Sequence, residues 1–206
     1  MNKTLKMWMM AAILILSGAS MTSCGNKNAK QKETKEGAPV QSETQLTEAR
    51  EEATPLTAVD DYLVNEIGKN YDQSDVTIPY AFVVNTDESN PDDILVWGDF
   101  WVFNYDIAGD TLKTASGGSY PGLMHVKKTD NGFEVFGFDA VADGSDNMPS
   151  AKKIFGDKFD AFWELNSDQE KREDMRLHFT SDYVKKHNLP VTMLQDYGWP
   201  AVALPE

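Results

Sequence analysis

Between residues 94 and 105 the chain alternates in a way that places apolar side chains on both sides of an extended backbone, and a segment of that kind has to run through the middle of a sheet. Leu95, Trp97, Trp101, Phe103 and Tyr105 fall on one side, and Val96, Phe100 and Val102 on the other. Each side then needs a cover, and the flanking sequence offers helical ones. Before the strand, Val59, Tyr62, Leu63 and Ile67 recur at helical spacing. Thr57-x-x-Asp60 reads as a capping box at the start of that helix, and Gly68 and Asn70 end it. Residues 76–84 are rich in β-formers, with Pro79 marking an edge or a bulge. Residues 111–115 and 123–128 read as two strands separated by Gly117-Gly118. Asp130-Asn131-Gly132 between two β-like runs predicts a hairpin.

After Pro149 the pattern turns helical. Phe155, Phe159, Phe162 and Trp163 lie at helical spacing, Ser167-x-x-Glu170 reads as a second capping box, and Met175, Phe179 and Tyr183 recur every four residues. Asn188-Leu189-Pro190 stops that helix, and residues 191–194 suit a short edge strand. The expected fold class is α+β. An N-terminal helix packs on a twisted antiparallel meander, with additional C-terminal helices, in a single domain over residues 55–206.

The N-terminus predicts an address. Lys3 and Lys6 precede an apolar run over residues 7–20 that is short for a membrane span and has the layout of a secretory signal. Met21-Thr22-Ser23-Cys24-Gly25 follows, and small residues before a lone cysteine resemble the lipobox of bacterial lipoproteins. The resemblance implies cleavage of a signal peptide, residues 1–23, and acylation of Cys24. It implies a membrane partner through the lipid and a place in the bacterial cell envelope, with the domain outside the cytoplasm. Residues 24–54 then form a lipidated cysteine and a polar tether of disordered character. Cys24 is the only cysteine, so no internal disulfide can form.

The formal charge is −14, and loss of residues 1–23 would remove Lys3 and Lys6 and no acid. Such an acidic surface argues against nucleic acid as a partner, because phosphate recognition needs clustered Lys and Arg. Walker, dinucleotide, Gly-x-Ser-x-Gly, Ser-x-x-Lys and His-Glu-x-x-His patterns are missing from the sequence, and no cofactor or metal is expected from it. The three histidines, His125, His178 and His187, do not share a metal-ligand spacing. The acids around residues 87–93 and 139–146 suit solvated turns better than an EF-hand loop.

A helix followed by a twisted antiparallel meander resembles the cystatin-like and NTF2-like folds. Residues 120–155, with Asn131-Gly132, Gly132-Phe133-Glu134-Val135, Asp143-Gly144-Ser145 and Lys153-Ile154-Phe155, look like small secreted bacterial domains of that shape. Fold alone carries no activity.

The candidate ligand-binding residues are therefore read from the strand: Trp97, Trp101 and Tyr105, four apart on one face, with Asp99 between them and His125 on a neighbouring strand. A concave aromatic face can stack a ligand, and His125 could carry protons there. The competing reading has the helix bearing Phe155, Phe159, Phe162 and Trp163 cover that face and turn its rings into core. Trp199 suits a core plug or an exposed contact equally. The favoured function is a lipid-anchored, non-catalytic binding or accessory domain for an unknown small ligand or envelope protein. The alternatives are a small pocket enzyme on an NTF2-like cone, with Asp99 or Asp139 as a buried carboxylate, or a protein-binding inhibitor or subunit that grips through a sheet edge near residues 76–84.

Overall fold

The computed structural model describes residues 53–206; Cys24 and the signal segment lie outside the described residues. Helix α1 (Pro55–Tyr62) continues through a π-helical turn (Leu63–Ile67). Four long strands follow: β1 (Val76–Asp87), β2 (Ile94–Ala108), β3 (Thr111–Thr129) and β4 (Gly132–Ala140). Helices α2 (Asn147–Phe155), α3 (Phe159–Ser167) and α4 (Gln169–Lys186) precede two short strands, β5 (Met193–Gln195) and β6 (Val202–Ala203). Among the described residues no helix is long and apolar enough to cross a membrane.

The fold class is α+β, but the sheet is mixed rather than purely antiparallel. β1 to β4 form the expected antiparallel meander. β5 then pairs parallel to the start of β3, and β6 pairs antiparallel to β5. The edge strand expected over residues 191–194 is therefore β5, Met193–Gln195, in an interior position, and β6 becomes the edge.

β2 is central, as its two apolar sides require. Val96, Phe100 and Val102 pack with Val59, Leu63 and Ile67 beneath α1. On the opposite face Trp101 and Tyr105 join Ile78, Tyr80 and Phe82 of β1, with Val184 of α4 and Leu194 of β5. Trp97 lies further along the same face with Leu123, Phe155 and Phe162. Burial of a large apolar side chain contributes about 1.5–3 kcal/mol, so the two clusters fix the strand from both sides.

Gly117-Gly118 does not break a strand. β3 runs through it as one 19-residue element. A Cβ at Gly117 would sit 2.4 Å from the Phe103 ring, and one at Gly118 2.7 Å from the Tyr71 hydroxyl. The two glycines mark close approach of neighbouring rings, which is the other use of glycine in a strand. At the Asn131-Gly132 turn, by contrast, Gly132 has φ 134°, a conformation that favours glycine, and the expected hairpin forms.

Both helix starts shift from the sequence reading. Thr54 caps α1, and Thr54 and Thr57 close a reciprocal capping box ahead of Asp60. Asp168, not Ser167, caps α4 by accepting from the Lys171 amide at 3.0 Å. In each case the local acceptor nearest the free amides is used. Gly156, at φ 54°, separates α2 from α3, so the Phe155–Trp163 ladder is carried by two helices.

Candidate functional site

The aromatic strand face is closed. Trp97, Trp101 and Tyr105 are all buried, and Asp99 among them is fully buried. Phe155 of α2 and Phe162 of α3 cover Trp97, as the competing reading had it, but the cover over Trp101 and Tyr105 is α4, and Trp163 is exposed. The stripe that α4 lays against the strand is polar, however: Arg172, Arg176 and Thr180, spaced one turn apart. The guanidinium of Arg172 lies 5.1 Å from the centre of the Trp101 ring, and that of Arg176 4.8 Å from Phe103. A guanidinium can cover an aromatic face as an apolar residue does, with an added cation–π attraction. Phe179 of the same helix is 41% exposed.

This stripe builds a buried polar seam. The Asp99 carboxylate accepts from Arg172 at 3.0 Å, from the Ser119 hydroxyl at 2.6 Å and from the Asn166 amide at 3.3 Å. Arg176 donates to Asp196, whose other oxygen accepts from the Thr114 hydroxyl at 2.6 Å. Tyr80 shares its hydroxyl with Tyr105 at 2.7 Å and with Thr180 at 2.8 Å. A buried carboxylate with three donors, one of them an opposite charge, is fixed in place, which suits a structural anchor.

Burial drives the Tyr80 hydroxyl up to about 12, and burial drives that of Tyr105 well above 10. Both keep their protons in the fold, whereas tyrosines in the unfolded chain ionise near 10. The stability tied to these hydroxyls is complete below pH 10 and is lost as the pH rises through about 12. The urea midpoint is accordingly expected to fall over that interval. Tyr80→Phe should flatten the fall, and an unchanged alkaline slope in that variant would rule Tyr80 out as a source of it.

His125 stands apart from the seam, on β3 toward the β4 side. Its Nδ1 lies 2.8 Å from the Asp93 carboxylate and its Nε2 3.7 Å from that of Asp139, with the Phe136 ring alongside. The structure thus does not bring His125 together with the other candidates. Among the described residues no three His, Cys, Asp or Glu side chains are placed to hold a metal ion. His187 stacks on Tyr183 at 4.0 Å, and His178 is exposed on α4.

An accessible concavity lies elsewhere, away from Trp97, Trp101 and Tyr105 and against the 76–84 strand. A groove of about 610 Å3 opens beside β1, between α1 and α4. Thr77 and Pro79 form its floor. Asp61 and Val64 line one wall, and Phe179, Asp182 and Tyr183 the other. Phe179 and Tyr183, which recur with Met175 every four residues in the sequence, are the aromatic part of that wall, while Met175 packs against the core.

No protein-family profile, curated protein or solved structure matches this chain.

Its site is therefore defined by its own chemistry. The groove offers two aromatic side chains, a strand edge and carboxylates, and a volume within the usual range for small-molecule sites. The seam offers a fixed charge network under helices. The first arrangement suits reversible binding, and the second suits holding the domain together.

Proposed function

We propose that this chain is a lipid-anchored cell-envelope protein whose globular domain is a non-catalytic binding module, and that a small amphipathic ligand sits in the groove between α1 and α4. Anchor and address follow from the lipobox-like Met21–Cys24 segment. A helix on a curled sheet is the shape that cystatin-like and NTF2-like domains share, and we read this domain as a variant of that cone. The observation that carries the binding reading is the groove itself, open and walled by Phe179 and Tyr183, while Asp99 is committed to Arg172 beneath α4. Proton abstraction by Asp99 has less support for the same reason. The protein-gripping alternative would use β1, a terminal strand of the sheet, but Pro79 and the register shift between Val83 and Asn85 work against pairing there.

Two measurements test the proposal. Intact mass of the membrane-extracted protein is expected to give a chain beginning at Cys24 with acyl mass added, and Cys24→Ala should abolish both. A fragment library screened by ligand-observed NMR is expected to give binders that Tyr183→Ala weakens about tenfold, the upper range for loss of an aromatic contact. Binders indifferent to both Tyr183→Ala and Phe179→Ala would place the ligand elsewhere.

A further inference from the structure

We propose that the open stretch of β3 between β4 and β5 is a strand-addition site for a short extended segment of a partner protein, gripped at one end by Tyr197 and Trp199. This site is distinct from the groove and stands whether or not the groove takes a ligand.

The outer edge of β3 is shared unequally. β4 pairs with it from Gly122 to Thr129, and the Val141 amide extends that contact to the Pro121 carbonyl at 2.9 Å. β5 pairs with it from Thr111 to Lys113, and Asp196 extends that contact to Thr114. Among the described residues, residues 115–120 have no strand partner on that side. They leave a gap about six residues long in an otherwise occupied edge. Ala115 and Ser119 within it are exposed.

Free strand edges usually carry a device that discourages pairing: proline, charge, a bulge, or brevity. The other edges of this sheet do. β1 has Pro79 and a register shift between Val83 and Asn85. β4 has Glu134 and Asp139, both largely exposed. β6 is two residues long. The stretch Ala115-Ser116-Gly117-Gly118-Ser119-Tyr120 has neither charge nor proline, and its guard is limited to its shortness and to a bulge at Ala115, the residue skipped where Tyr105 pairs with Thr114 and Asn104 with Ser116.

A second observation points to the same place. The residue after Asp196 is Tyr197, which is 95% exposed, and Trp199 is 72% exposed. Two large aromatic side chains are thus presented to solvent beside the Thr114 end of the gap. They stand on a fixed loop. The Trp199 amide donates to the Asp196 carbonyl at 3.1 Å, Gln195 donates to the Trp199 carbonyl at 3.0 Å, and Gly198 takes φ 78°. Asp196 itself is rooted to the buried Arg176. Rigid, exposed Tyr and Trp are the side chains that anchor interfaces most effectively.

The geometry also selects the occupant. A second copy of this chain cannot pair here through its own β3, because adjacent strands lie about 4.8 Å apart and β4 and β5 already hold that position at either end. A short extended segment that ends, or bends away, after about six residues fits between them. Backbone hydrogen bonds would hold it, and the aromatic pair would select its side chains.

The test uses the full chain and a set of end-blocked hexapeptides whose alternate residues are valine, with threonine, serine or lysine between. Amide exchange is followed with and without each peptide. At least one is expected to slow exchange about tenfold or more at amides within residues 115–120, and its twin, N-methylated at alternate residues, should not. The Tyr197→Ser, Trp199→Ser variant, altered only at exposed positions, is expected to weaken that peptide about tenfold. Protection confined to residues 76–87 or 132–140, or no protection by any peptide, overturns the proposal. So do amides of the gap that point away from β2 and are already slow in the full chain alone, which would mean that the chain fills its own slot, or slow only at high protein concentration, which would mean a second copy.

Discussion

Asp99→Leu is expected to lower the stability of the domain by about 3–5 kcal/mol, because it strands the Arg172 charge beneath α4 with its carboxylate gone. The side chain of Arg172 keeps 17% of its exposure, so water relieves part of that cost and the lower half of the range is expected. For a domain of this size about 3 kcal/mol corresponds to a fall of roughly 6–12 °C in Tm. The double variant Asp99→Leu, Arg172→Leu should recover most of the loss, since neither charge is then left alone. Thermal unfolding of the four proteins in this cycle reads the coupling directly. A single variant as stable as the parent would mean that Asp99 is not part of the framework, and would reopen it as a functional carboxylate.

Arg176→Leu should be nearly as damaging, by about 3 kcal/mol, and its effect should reach the surface. Arg176 is 3% exposed, lies on the Phe103 ring and donates to Asp196. Without it the Asp196 carboxylate keeps only Thr114, and the Tyr197–Trp199 loop loses its root. Time-resolved fluorescence anisotropy of Trp199, measured in a background where the other tryptophans are phenylalanine, is expected to fall with the stability. Arg176→Lys should be intermediate, because an ammonium keeps the charge but neither the fork nor the flat stacking surface. Lost stability with Trp199 anisotropy unchanged would uncouple the seam from the loop.

The central strand, the hairpin and the C-terminal helices were legible in the sequence because each is written in a local pattern. Two-sided alternation placed β2, Asn131-Gly132 placed the turn into β4, and the Phe155–Trp163 ladder announced a helical cover. What was hidden depends on partners distant in the chain. Gly117-Gly118 looks like punctuation until Phe103 and Tyr71 are seen where a Cβ would go. Arg172 and Arg176 look like solvent-facing charges on an amphipathic helix until Trp101 and Phe103 lie beneath them. A hydropathy scale gives those positions to water, so it does not announce that they pack on β2. The candidate residues met the same limit. Trp97, Asp99, Trp101 and Tyr105 do share a face, as their spacing required, but whether that face is open was decided by a helix some seventy residues on. His125 belongs to a different cluster, because Asp93 and Asp139 hold it.

The parallel pairing of β5 with the start of β3 bears on the order in which this domain can assemble. The meander closes through short turns, but β5 must wait for three helices to be laid down first. Leu194 and Leu204 then complete the cluster that contains Tyr80 and Tyr105, and the Pro205 carbonyl accepts from the Ser181 hydroxyl at 2.6 Å. Closing so distant a contact comes late in folding, since the chain entropy has to be given up before the contact can return anything. A chain emerging N-terminus first would therefore carry a half-finished core, its tyrosines still wet, until those last residues are free to dock.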